Sequence, residues 1–426
     1  MSPPPDVGTT GSLSVGIDVS SVERVRLLVE RRPEFLSKYF SESEAEYCRG
    51  RPERLAARWA AKEAVRKLYG GLGWRIPLYS QIAVVRRPGG APEILVEGSP
   101  VLGLSVSLTH DAGLGMAVAL LDAAGRQSPR LWGTLPADLG MPDRSDSGHK
   151  GSFGTVVLVA GSPDFPGAAV LCALGALRGG AGKVKVLVAG AASQALPPEV
   201  IRVPVSGTGP TLGAAAIQEA RSSLDSATAV VCGPGLGQGQ STRALLTELF
   251  RIAEQSEWSL VLDADALNAC AGDRELLRLV PRGSVLTPHP LEAARLAAKP
   301  VAAIEADRQS AATGLARQLG VVLVLKGAHS VVAAPDGATW VDDHATAALA
   351  TGGTGDVLAG LVGALIAQGM APYGAARTGV FLHAEAGTRL AFLRGRAGVL
   401  ASEVAEALVE TQEAVRRAQG RWPGGQ

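Results

Sequence analysis

Six short apolar runs recur between residues 149 and 417 of this 426-residue chain, and most are followed by a stretch with helical spacing. The runs are rich in Val, Leu and Ile without alternating polar residues, which is typical of strands buried on both faces. This alternation predicts an α/β domain with a mostly parallel sheet and helices on both faces. The predicted strands are Thr155–Ala160, Lys183–Val188, Ala229–Cys232, Leu260–Asp263, Gly283–Thr287 and Val321–Lys326.

Residues 13–121 follow a different pattern, with a few helices and short strands of hairpin length. This pattern favours a separate α+β domain. Residues 122–148 are rich in Pro, Gly, Ser and Asp, so we predict a linker there and a second domain over residues 149–417. The elements predicted for the first domain are helices Glu42–Cys48 and Arg51–Leu68 and strands Ser14–Asp18, Gln81–Arg86, Glu93–Val96, Leu104–Leu108 and Gly115–Leu121.

The composition is compatible with two domains and limits the classes of function. A chain of 426 residues can bury two cores, and a net charge of +1 gives no general attraction to nucleic acid or membrane. The four cysteines form no C-x-x-C pair, which is typical of reduced thiols in the cytoplasm. We expect neither a signal peptide nor a transmembrane segment, and therefore a cytoplasmic protein.

A dense set of cations surrounds an acidic residue in the first domain. Between residues 49 and 67 there are seven basic and two acidic side chains. Asp18 ends a predicted strand and Glu63 lies within a predicted helix, and Mg²⁺ prefers one or two carboxylates together with substrate phosphates. Arg58 lies one turn before Lys62 on the same helix face, so the two could hold a diphosphate. The alternative is that these cations form only the solvated face of a helix.

In order and spacing, the motifs of the first domain resemble those of holo-[acyl-carrier-protein] synthases, which are 4′-phosphopantetheinyl transferases. The resemblance implies Mg²⁺-dependent transfer of 4′-phosphopantetheine from coenzyme A to a serine of apo-acyl carrier protein. It also implies a homo-oligomer, usually a trimer with sites between subunits. Ser21 departs from a common acidic residue, and Lys38 from a common arginine. The matching segments are Gly16–Asp18, Glu23-Arg24, Phe40–Cys48, Arg54–Lys67 and Ser107–His110.

The resemblance gives each matching side chain an expected role. Asp18 and Glu63 would bind Mg²⁺, and Glu63 would also take the proton from the serine of the carrier protein. Lys62 would contact the transferred phosphate. Arg58 and His110 would lie near the phosphates and the nucleotide of coenzyme A, although a lone histidine such as His110 is more often structural.

A glycine-rich segment, Gly352-Gly-Thr-Gly-Asp356, precedes an apolar helical run in the second domain. Glycines before a helix expose backbone N–H groups and a helix N-terminus attracts anions, so this segment could cradle a phosphate. Asp356 could act there as a base toward a hydroxyl, and the helix dipole should help to keep it ionised. A plain glycine turn with a capping aspartate is the alternative. Polar residues also end three predicted strands, where open α/β sheets bind ligands: Asp263 and Asp265, Thr287 and His289, and Lys326.

In this order, the motifs resemble those of ADP- or ATP-dependent NAD(P)H-hydrate dehydratases, a branch of the ribokinase-like fold. The resemblance implies dehydration of (6S)-NAD(P)H hydrate to NAD(P)H, with ADP or ATP as co-substrate. Residues 342–349 depart from the family, which usually has an Asn/Gly-rich loop at this point. A small-molecule kinase, or a degenerate scaffold in one half, stays open as an alternative. Further matching segments are His149–Gly154, Gly161-Ser162, Gly167–Ala169, Leu177–Gly182 and Gly233–Gly237.

The second resemblance also implies roles for single residues. Asp356 would activate the hydroxyl of the hydrate for phosphorylation by the nucleotide. The sequence therefore predicts a bifunctional enzyme whose partners are small molecules and an acyl carrier protein. The hydrate would be contacted by Ala168, Gly235 and His289, and the nucleotide would be held by Lys326, Gly327, Ala328, His329, Ser330 and Gly355.

Overall fold

The chain folds into two compact units that divide between Arg130 and Leu131. The first unit is α+β and the second is α/β, as the sequence predicts. No helix among the described residues combines the length and the apolar character needed to cross a membrane. The computed structural model describes residues 13–32, 34–72, 75–86, 91–101, 103–122, 131, 133–145, 147–189, 196–206 and 212–419.

Part of the predicted linker, residues 123–130, lies outside the described residues. The described part of residues 131–148 packs onto the second unit and is not a free linker. Leu139 and Met141 are buried in a core of that unit. The Arg377 guanidinium donates hydrogen bonds of 2.8 and 2.9 Å to the Asp138 carboxylate. The second unit therefore begins before the predicted boundary at His149.

The first unit places one long helix against a three-stranded antiparallel sheet. All five predicted strands and both predicted helices are present. The described elements of this unit are β1 (Leu13–Ser21), α1 (Val22–Arg31), α2 (Glu34–Tyr39), α3 (Glu42–Cys48), α4 (Pro52–Gly71), β2 (Ile82–Arg86), β3 (Pro92–Val96), β4 (Ser99–Pro100), β5 (Leu104–Asp111) and β6 (Leu114–Asp122).

Two glycines allow α4 to lie directly on this sheet, whose strand order is β1-β6-β5. A Cβ atom at Gly16 would overlap the Ala64 carbonyl oxygen, and one at Gly115 would overlap the Ala57 amide. The helix contributes Ala60, Ala61, Ala64, Val65 and Leu68 to the core beneath it. This close approach places the end of β1 beside the middle of α4.

The second unit is built on a nine-stranded sheet with helices on both faces. Its described elements are β7 (Thr155–Val159), α5 (Pro166–Arg178), β8 (Lys183–Ala189), β9 (Ile201–Val205), α6 (Ala214–Glu219), α7 (Arg221–Asp225), β10 (Ala229–Cys232), α8 (Gln240–Ala253), β11 (Ser259–Leu262), α9 (Asp265–Gly272), α10 (Arg274–Arg278), β12 (Val285–Leu286), α11 (Pro290–Ala297), α12 (Val301–Ala306), α13 (Arg308–Leu319), β13 (Val322–Leu325), β14 (Val331–Ala333), β15 (Thr339–Val341), α14 (Thr354–Ala367), α15 (Pro372–Arg394) and α16 (Ala401–Ala418).

The strand order of this sheet is β15-β14-β13-β12-β11-β10-β7-β8-β9. Strands β7 to β13 run parallel, and β14 and β15 extend one edge antiparallel. The six predicted strands correspond to β7, β8 and β10 to β13. The chain winds outward from β7 through β8 and β9 and then returns to β10 on the other side of β7. Such a switch point opens a ligand crevice at the carboxyl ends of the strands.

Alternate residues of each central strand enter different cores. Val156 and Leu158 of β7 lie in a core with residues of α5, α14, α15 and α16. Val157 and Val159 lie in a core on the other face, with residues of α8, α9, α11 and α13. Burial on both faces explains why the strands are continuous apolar runs.

Candidate active sites

Both carboxylates predicted to bind a metal in the first unit lie near one ammonium group, that of Lys67. Lys67 Nζ donates hydrogen bonds to Asp18 Oδ1 at 2.7 Å and to the Ile17 carbonyl oxygen at 3.2 Å. The hydrogen bond and charge of Asp18, and the charge of Glu63, raise the pKa of Lys67. The structure thus brings the end of β1 and the middle of α4 into one charged cluster.

This cluster has a donor set that suits Mg²⁺, because hard oxygen ligands from one or two carboxylates leave room for phosphate oxygens. The Asp18 side chain is 15% exposed and that of Lys67 is 57% exposed. Lys67 can therefore turn toward solvent, or toward a phosphate, when a cation neutralises Asp18. The sequence placed Lys67 in the cation-rich Arg54–Lys67 block without giving it a catalytic role of its own, although it lies one turn after Glu63.

Tyr79 orients Glu63. Its hydroxyl group donates a hydrogen bond of 2.7 Å to Glu63 Oε1. Its ring stacks on Trp59 with the centroids 4.7 Å apart, and the Arg66 guanidinium lies 4.1 Å from the ring centroid. Burial, with the hydrogen bond to Glu63, raises the pKa of Tyr79 to about 12, so the hydroxyl remains a donor at neutral pH. No sequence motif indicated this contact, because Tyr79 lies outside the helical spacing of α4.

Lys62, predicted to contact the transferred phosphate, has its ammonium group fully buried. It donates hydrogen bonds to Glu44 Oε2 at 3.0 Å, to the Tyr39 carbonyl oxygen at 2.8 Å and to the Ile82 carbonyl oxygen. Burial lowers the pKa of Lys62, and the charge of Glu44 opposes this effect. In this structure the ammonium group beside the two carboxylates is that of Lys67, and Lys62 ties α4 to α3 and β2.

The two residues predicted near coenzyme A differ in exposure. Arg58 is buried, and its guanidinium lies 4.2 Å from the centroid of the Tyr47 ring. Its Nε atom is buried without a hydrogen-bond partner among the described residues. His110 is exposed on β5 and lies opposite Gly115 of β6. His110 is therefore accessible to a ligand, whereas Arg58 is held against Tyr47 within the first unit.

In the second unit, charged side chains meet at the carboxyl ends of the parallel strands. Lys326, after β13, donates a hydrogen bond of 2.6 Å from Nζ to Oδ1 of Asp263, after β11. Burial acts to lower the pKa of Lys326, but the charges of Asp263 and Glu292 outweigh it and the pKa is raised. A Cβ atom at Gly355 would lie 3.2 Å from Lys326 Nζ, so the glycine-rich segment reaches this lysine.

Asp356 lies in the first turn of α14 and belongs to the same charged cluster. Burial raises its pKa to about 7, the charge of Asp263 adds to the shift, and the charge of Lys326 opposes it. The helix dipole favours the ionised form of Asp356, as the sequence indicates, and burial acts in the opposite direction. A carboxyl group with a pKa near 7 can both accept and release a proton at neutral pH.

The residues predicted to contact the hydrate lie around the same crevice. Gly235 has a φ of +64°, and a Cβ atom there would lie 2.6 Å from Ala168 Cβ, so the two residues are neighbours. His289 caps α11, where its Nδ1 accepts a hydrogen bond of 3.1 Å from the Leu291 amide. Burial and the charge of Lys326 lower the pKa of His289, which connects it electrostatically to the charged cluster.

A cavity of about 200 Å³ opens beside this cluster. Five of the residues predicted to hold a nucleotide line it, and we call them its first wall. The segment after β15 that departs from the family also lines it, and we call these residues its second wall. The sixth predicted residue, His329, has a φ of +54° and its Nδ1 lies 3.2 Å from the Asp342 carbonyl oxygen. The first wall is lined by Lys326, Gly327, Ala328, Ser330 and Gly355, and the second by Asp342, His344, Thr346, Leu349 and Ala350.

The second unit has a mostly parallel sheet with a charged cluster at the carboxyl ends of its strands, and the glycine-rich start of α14 reaches this cluster. These features place the unit in the ribokinase-like class. The chain belongs to the NAD(P)H-hydrate dehydratase family, whose sequence model matches residues 156–410. A model of the 4′-phosphopantetheinyl transferase superfamily matches residues 14–117. Both resemblances predicted from the sequence are confirmed.

Individual relatives match the second unit. The bifunctional NAD(P)H-hydrate repair enzyme of Gloeobacter violaceus is 41% identical over 289 residues, which are 66% of this chain and 54% of that protein. The ADP-dependent (S)-NAD(P)H-hydrate dehydratase of Neisseria meningitidis serogroup B is 39% identical over 267 residues, which are 62% of this chain and 86% of that protein. The chain spans about half the length of the bifunctional relatives.

A solved structure shows the same likeness. The ADP/ATP-dependent NAD(P)H-hydrate dehydratase of Bacillus subtilis, co-crystallized with ATP/Mg²⁺, aligns with a TM-score of 0.55 and 30% identity. The alignment covers 65% of this chain and 94% of that one. The likeness therefore extends over almost the whole of that chain.

Proposed function

We propose that the second unit dehydrates NAD(P)H hydrate with ADP or ATP as co-substrate. The observation that supports this most strongly is the position of Asp356, a carboxyl group with a pKa of about 7 beside the Lys326–Asp263 pair and the cavity that Lys326 and Gly355 line. Membership of the dehydratase family supports the choice of reaction. The hydrate would lie toward Ala168, Gly235 and His289.

The proposed chemistry balances as a phosphoryl transfer followed by an elimination. Asp356 accepts the proton of the ring hydroxyl while that oxygen attacks the terminal phosphoryl group of the nucleotide. The bond from the terminal phosphorus to the bridging oxygen breaks, and the nucleotide, now one phosphate shorter, is the leaving group. The lone pair of the nicotinamide ring nitrogen then expels phosphate and restores the dihydropyridine. Lys326 and the main-chain N–H groups at Gly355 balance the charge on the transferred group.

One assay separates this function from a small-molecule kinase. The purified full chain is incubated with NADH hydrate and either ADP or ATP, and the absorbance of NADH is followed. We expect NADH to return only when nucleotide is present. Binding of nucleotide without return of NADH would contradict the proposal and favour the kinase or scaffold alternative.

For the first unit, we propose transfer of 4′-phosphopantetheine from coenzyme A to a serine of an acyl carrier protein. The observation that supports it is the cluster of Asp18, Glu63 and Lys67, with Tyr79 orienting Glu63. Asp18 and Glu63 would hold Mg²⁺, which would balance the charge of the coenzyme A pyrophosphate. Glu63 would take the serine proton, and Lys67 would contact the transferred phosphate. Both reactions use metabolites of the cytoplasm, where we propose the protein acts.

The transferase proposal is tested with Asp18→Asn and Glu63→Gln in the full chain. We expect each variant to lose Mg²⁺-dependent loading of a radiolabelled pantetheine group onto apo-acyl carrier protein, because both carboxylates bind the metal. Return of NADH in the same preparations should be unchanged and serves as the control for folding. Near-normal loading by either variant would show that the metal site is elsewhere.

The carrier protein should dock through charge. Seven basic side chains lie between residues 49 and 67, and an acidic carrier would complement the five that are exposed or half-buried, namely Arg49, Arg51, Arg54, Arg66 and Lys67. Raising the salt concentration should therefore increase the KM for the carrier, since the Debye length falls to about 8 Å at physiological ionic strength. A KM that does not change with salt would contradict this docking mode.

A further inference from the structure

The segment that departs from the dehydratase family contains a buried histidine held by two carboxylates. His344 Nδ1 lies 2.8 Å from Asp342 Oδ1, and His344 Nε2 lies 2.8 Å from Glu385 Oε2 of α15. All three side chains are at most 3% exposed. The Phe381 ring packs against the imidazole in an edge-to-face arrangement, with the ring centroids 5.2 Å apart. We call these three residues the His344 triad.

The geometry fixes the number of protons in the His344 triad. A carboxylate only accepts hydrogen bonds, and a neutral imidazole has a single N–H donor. Two carboxylates bonded to both ring nitrogens therefore require one further proton, on the histidine or on a carboxyl group. The triad then carries a net charge of −1 instead of −2. Burial acts to lower the pKa of His344, but its hydrogen bonds to the two carboxylates outweigh burial and raise the pKa to about 9.

The triad is connected to the wall of the cavity that faces the proposed nucleotide. The amide of Asp342 donates a hydrogen bond of 2.9 Å to the Ser330 carbonyl oxygen, and the amide of His329 donates one of 3.0 Å to the His344 carbonyl oxygen. Asp342 and His344 also line the cavity themselves. Glu385 therefore anchors the departing segment, and through it residues 329–330, to α15.

The charge of this wall matters because the proposed ligand is a polyanion. The side chains of Asp263, Asp356 and Glu292 already place acidic groups around Lys326 at the other wall. Groups facing the imidazole are Asp342, Glu385 and the half-exposed Asp343, whose Oδ1 lies 3.4 Å from His344 Nδ1. Without the extra proton, the triad would carry one more negative charge beside the cavity that Asp342 and His344 line, and this charge would oppose binding of phosphate groups.

We propose that His344 is a positioning residue for the nucleotide: by bridging Asp342 and Glu385 it holds residues 329–330 in place and keeps the cavity wall compatible with a polyanion. This inference rests on the proposed use of ADP or ATP by the second unit. It assigns a role to the segment at which the chain departs from its family. Loss of the bridge should weaken nucleotide binding more than it slows the chemical step, since Asp356 and Lys326 are unchanged.

The test compares wild-type full chain with His344→Gln and Glu385→Gln, and with Glu406→Gln as matched control. Glu406 of α16 forms an exposed ion pair with Arg178 of α5, and it does not line the cavity. The dissociation constants of Mg-ADP and Mg-ATP are measured by calorimetry from pH 6.5 to 9.5. The KM for the nucleotide and the kcat are measured in the assay for return of NADH. We expect His344→Gln to raise the dissociation constant and KM about tenfold and kcat to change much less.

The pH profile separates this role from a purely structural one. In the wild type, affinity should fall as the pH rises through about 9, because the triad then loses its proton. In Glu385→Gln one carboxylate is gone, so the pKa of His344 falls and the pH dependence moves to lower pH. Glu385→Gln keeps a hydrogen-bonding side chain of the same size, and it gives this result even if His344→Gln does not fold.

Unchanged nucleotide affinity and pH dependence in both variants would overturn the inference. A His344→Gln protein that loses kcat but keeps wild-type affinity would also overturn it. A different result would contradict the proposed function alone: wild-type protein would bind nucleotide with the expected dependence on His344, but no NADH would return.

Discussion

Asp356 and Lys62 are both charged side chains inside the fold, and their partners determine what each can do. Lys62 has Glu44 and three main-chain carbonyl groups as hydrogen-bond acceptors, so its ammonium group is fully used within the first unit. Asp356 is largely buried near Asp263, and burial raises its pKa to about 7. A charged group whose hydrogen bonds are all made within the fold is structural. A group whose pKa is shifted toward neutral pH by its surroundings is available for proton transfer.

Replacing Asp356 by Asn should separate stability from activity. The pKa of this group is raised above its ordinary value of 3.8, so the folded state favours the protonated form. Below about pH 4 the group is protonated in both the folded and the unfolded state, so it does not affect stability. As the pH rises to about 7, ionisation is increasingly favoured in the unfolded state alone, and the free energy of unfolding falls. At pH 8, Asp356→Asn should therefore have a free energy of unfolding higher than that of wild type by on the order of 4 kcal/mol, and it should unfold at a higher temperature.

The same variant should lose return of NADH by about 10²–10⁴-fold, as expected for a general base. In the wild type, kcat/KM should rise with pH through about 7, because only the ionised carboxylate accepts a proton and kcat/KM reports the ionisation of the free enzyme. Thermal unfolding at pH 5 and pH 8 and the pH profile of kcat/KM check both statements. More than about a tenth of wild-type kcat in Asp356→Asn would return the residue to a capping role.

Lys62→Met and Lys67→Met distinguish a structural lysine from a phosphate-binding one. Removing Lys62 leaves Glu44 buried without its cation, which should cost about 3–5 kcal/mol of stability. Lys67 is mostly exposed, so Lys67→Met should fold normally and lose pantetheine transfer. Chemical denaturation and the loading assay measure the two effects. If Lys62→Met kept full stability but lost transfer, the sequence-based role of Lys62 at the phosphate would be correct after all.

At the scale of elements, the sequence identified those parts of the fold that depend on local pattern. The continuous apolar runs predicted β7, β8 and β10 to β13, because strands buried on both faces need no polar alternation. Strands β14 and β15 have three residues each, too short for a period to be recognised. The pairing of Ala168 with Gly235 could be expected only from the resemblance, since it depends on how two strands lie in the sheet.

The site residues that the sequence missed are those whose role depends on contacts across elements. Tyr79 reaches Glu63 from outside α4, and Glu385 reaches His344 from α15, 41 residues along the chain. No spacing rule connects such pairs. The different surroundings of Lys62 and Lys67 have a similar cause, because both lie near Glu63 in sequence and only packing decides which side chain is buried.

Helices α5 and α14 cross closely because each carries a glycine at the contact. A Cβ atom at Gly360 would overlap the Cys172 carbonyl oxygen, and one at Gly175 would overlap the Val357 carbonyl oxygen. Since α14 carries Asp356, this contact also positions the proposed base. Separation of the two helices should therefore affect both stability and activity.

Gly360→Ala should lower the stability of the second unit by about 1–3 kcal/mol, because overpacking outweighs the better helix propensity of alanine. Gly314→Ala is the matched control, since Gly314 lies on the exposed side of α13 and a Cβ atom there meets no neighbour within 4 Å. It should stabilise the protein by about 0.5–1 kcal/mol. Denaturation midpoints measure both changes, and an equal effect of the two substitutions would show that the helix crossing is not tight.

At the scale of the whole molecule, the first unit exposes an apolar sheet face. Helix α4 covers one face of the β1-β6-β5 sheet, and the side chains of the opposite face are partly exposed. Such a contiguous patch favours association with a like surface. Its exposed side chains are Val15, Ile17, Val19, Leu114, Met116 and Val118, each between 36% and 52% exposed.

The resemblance to holo-[acyl-carrier-protein] synthases implies a homo-oligomer, and from the exposed apolar patch we expect its subunits to meet through this face. Ile17 and Val118 are register partners at the centre of the patch, so Ile17→Lys places a charge where two copies would meet. The substitution should not harm folding, because Ile17 is already 52% exposed in the single chain. Light scattering should show a smaller mass for Ile17→Lys than for wild type, and Met116→Lys should repeat the result.

Leu279→Lys is the control, since Leu279 is an exposed apolar residue of the second unit, outside the patch. It should leave the mass unchanged, so a fall in mass cannot be ascribed to an added charge alone. If the transfer site lies between subunits, Ile17→Lys should also lose pantetheine loading while it keeps return of NADH, because the second unit holds its charged cluster and cavity within one chain. A monomeric wild type with full transfer activity would exclude the oligomer and require the whole transfer site to lie within one first unit.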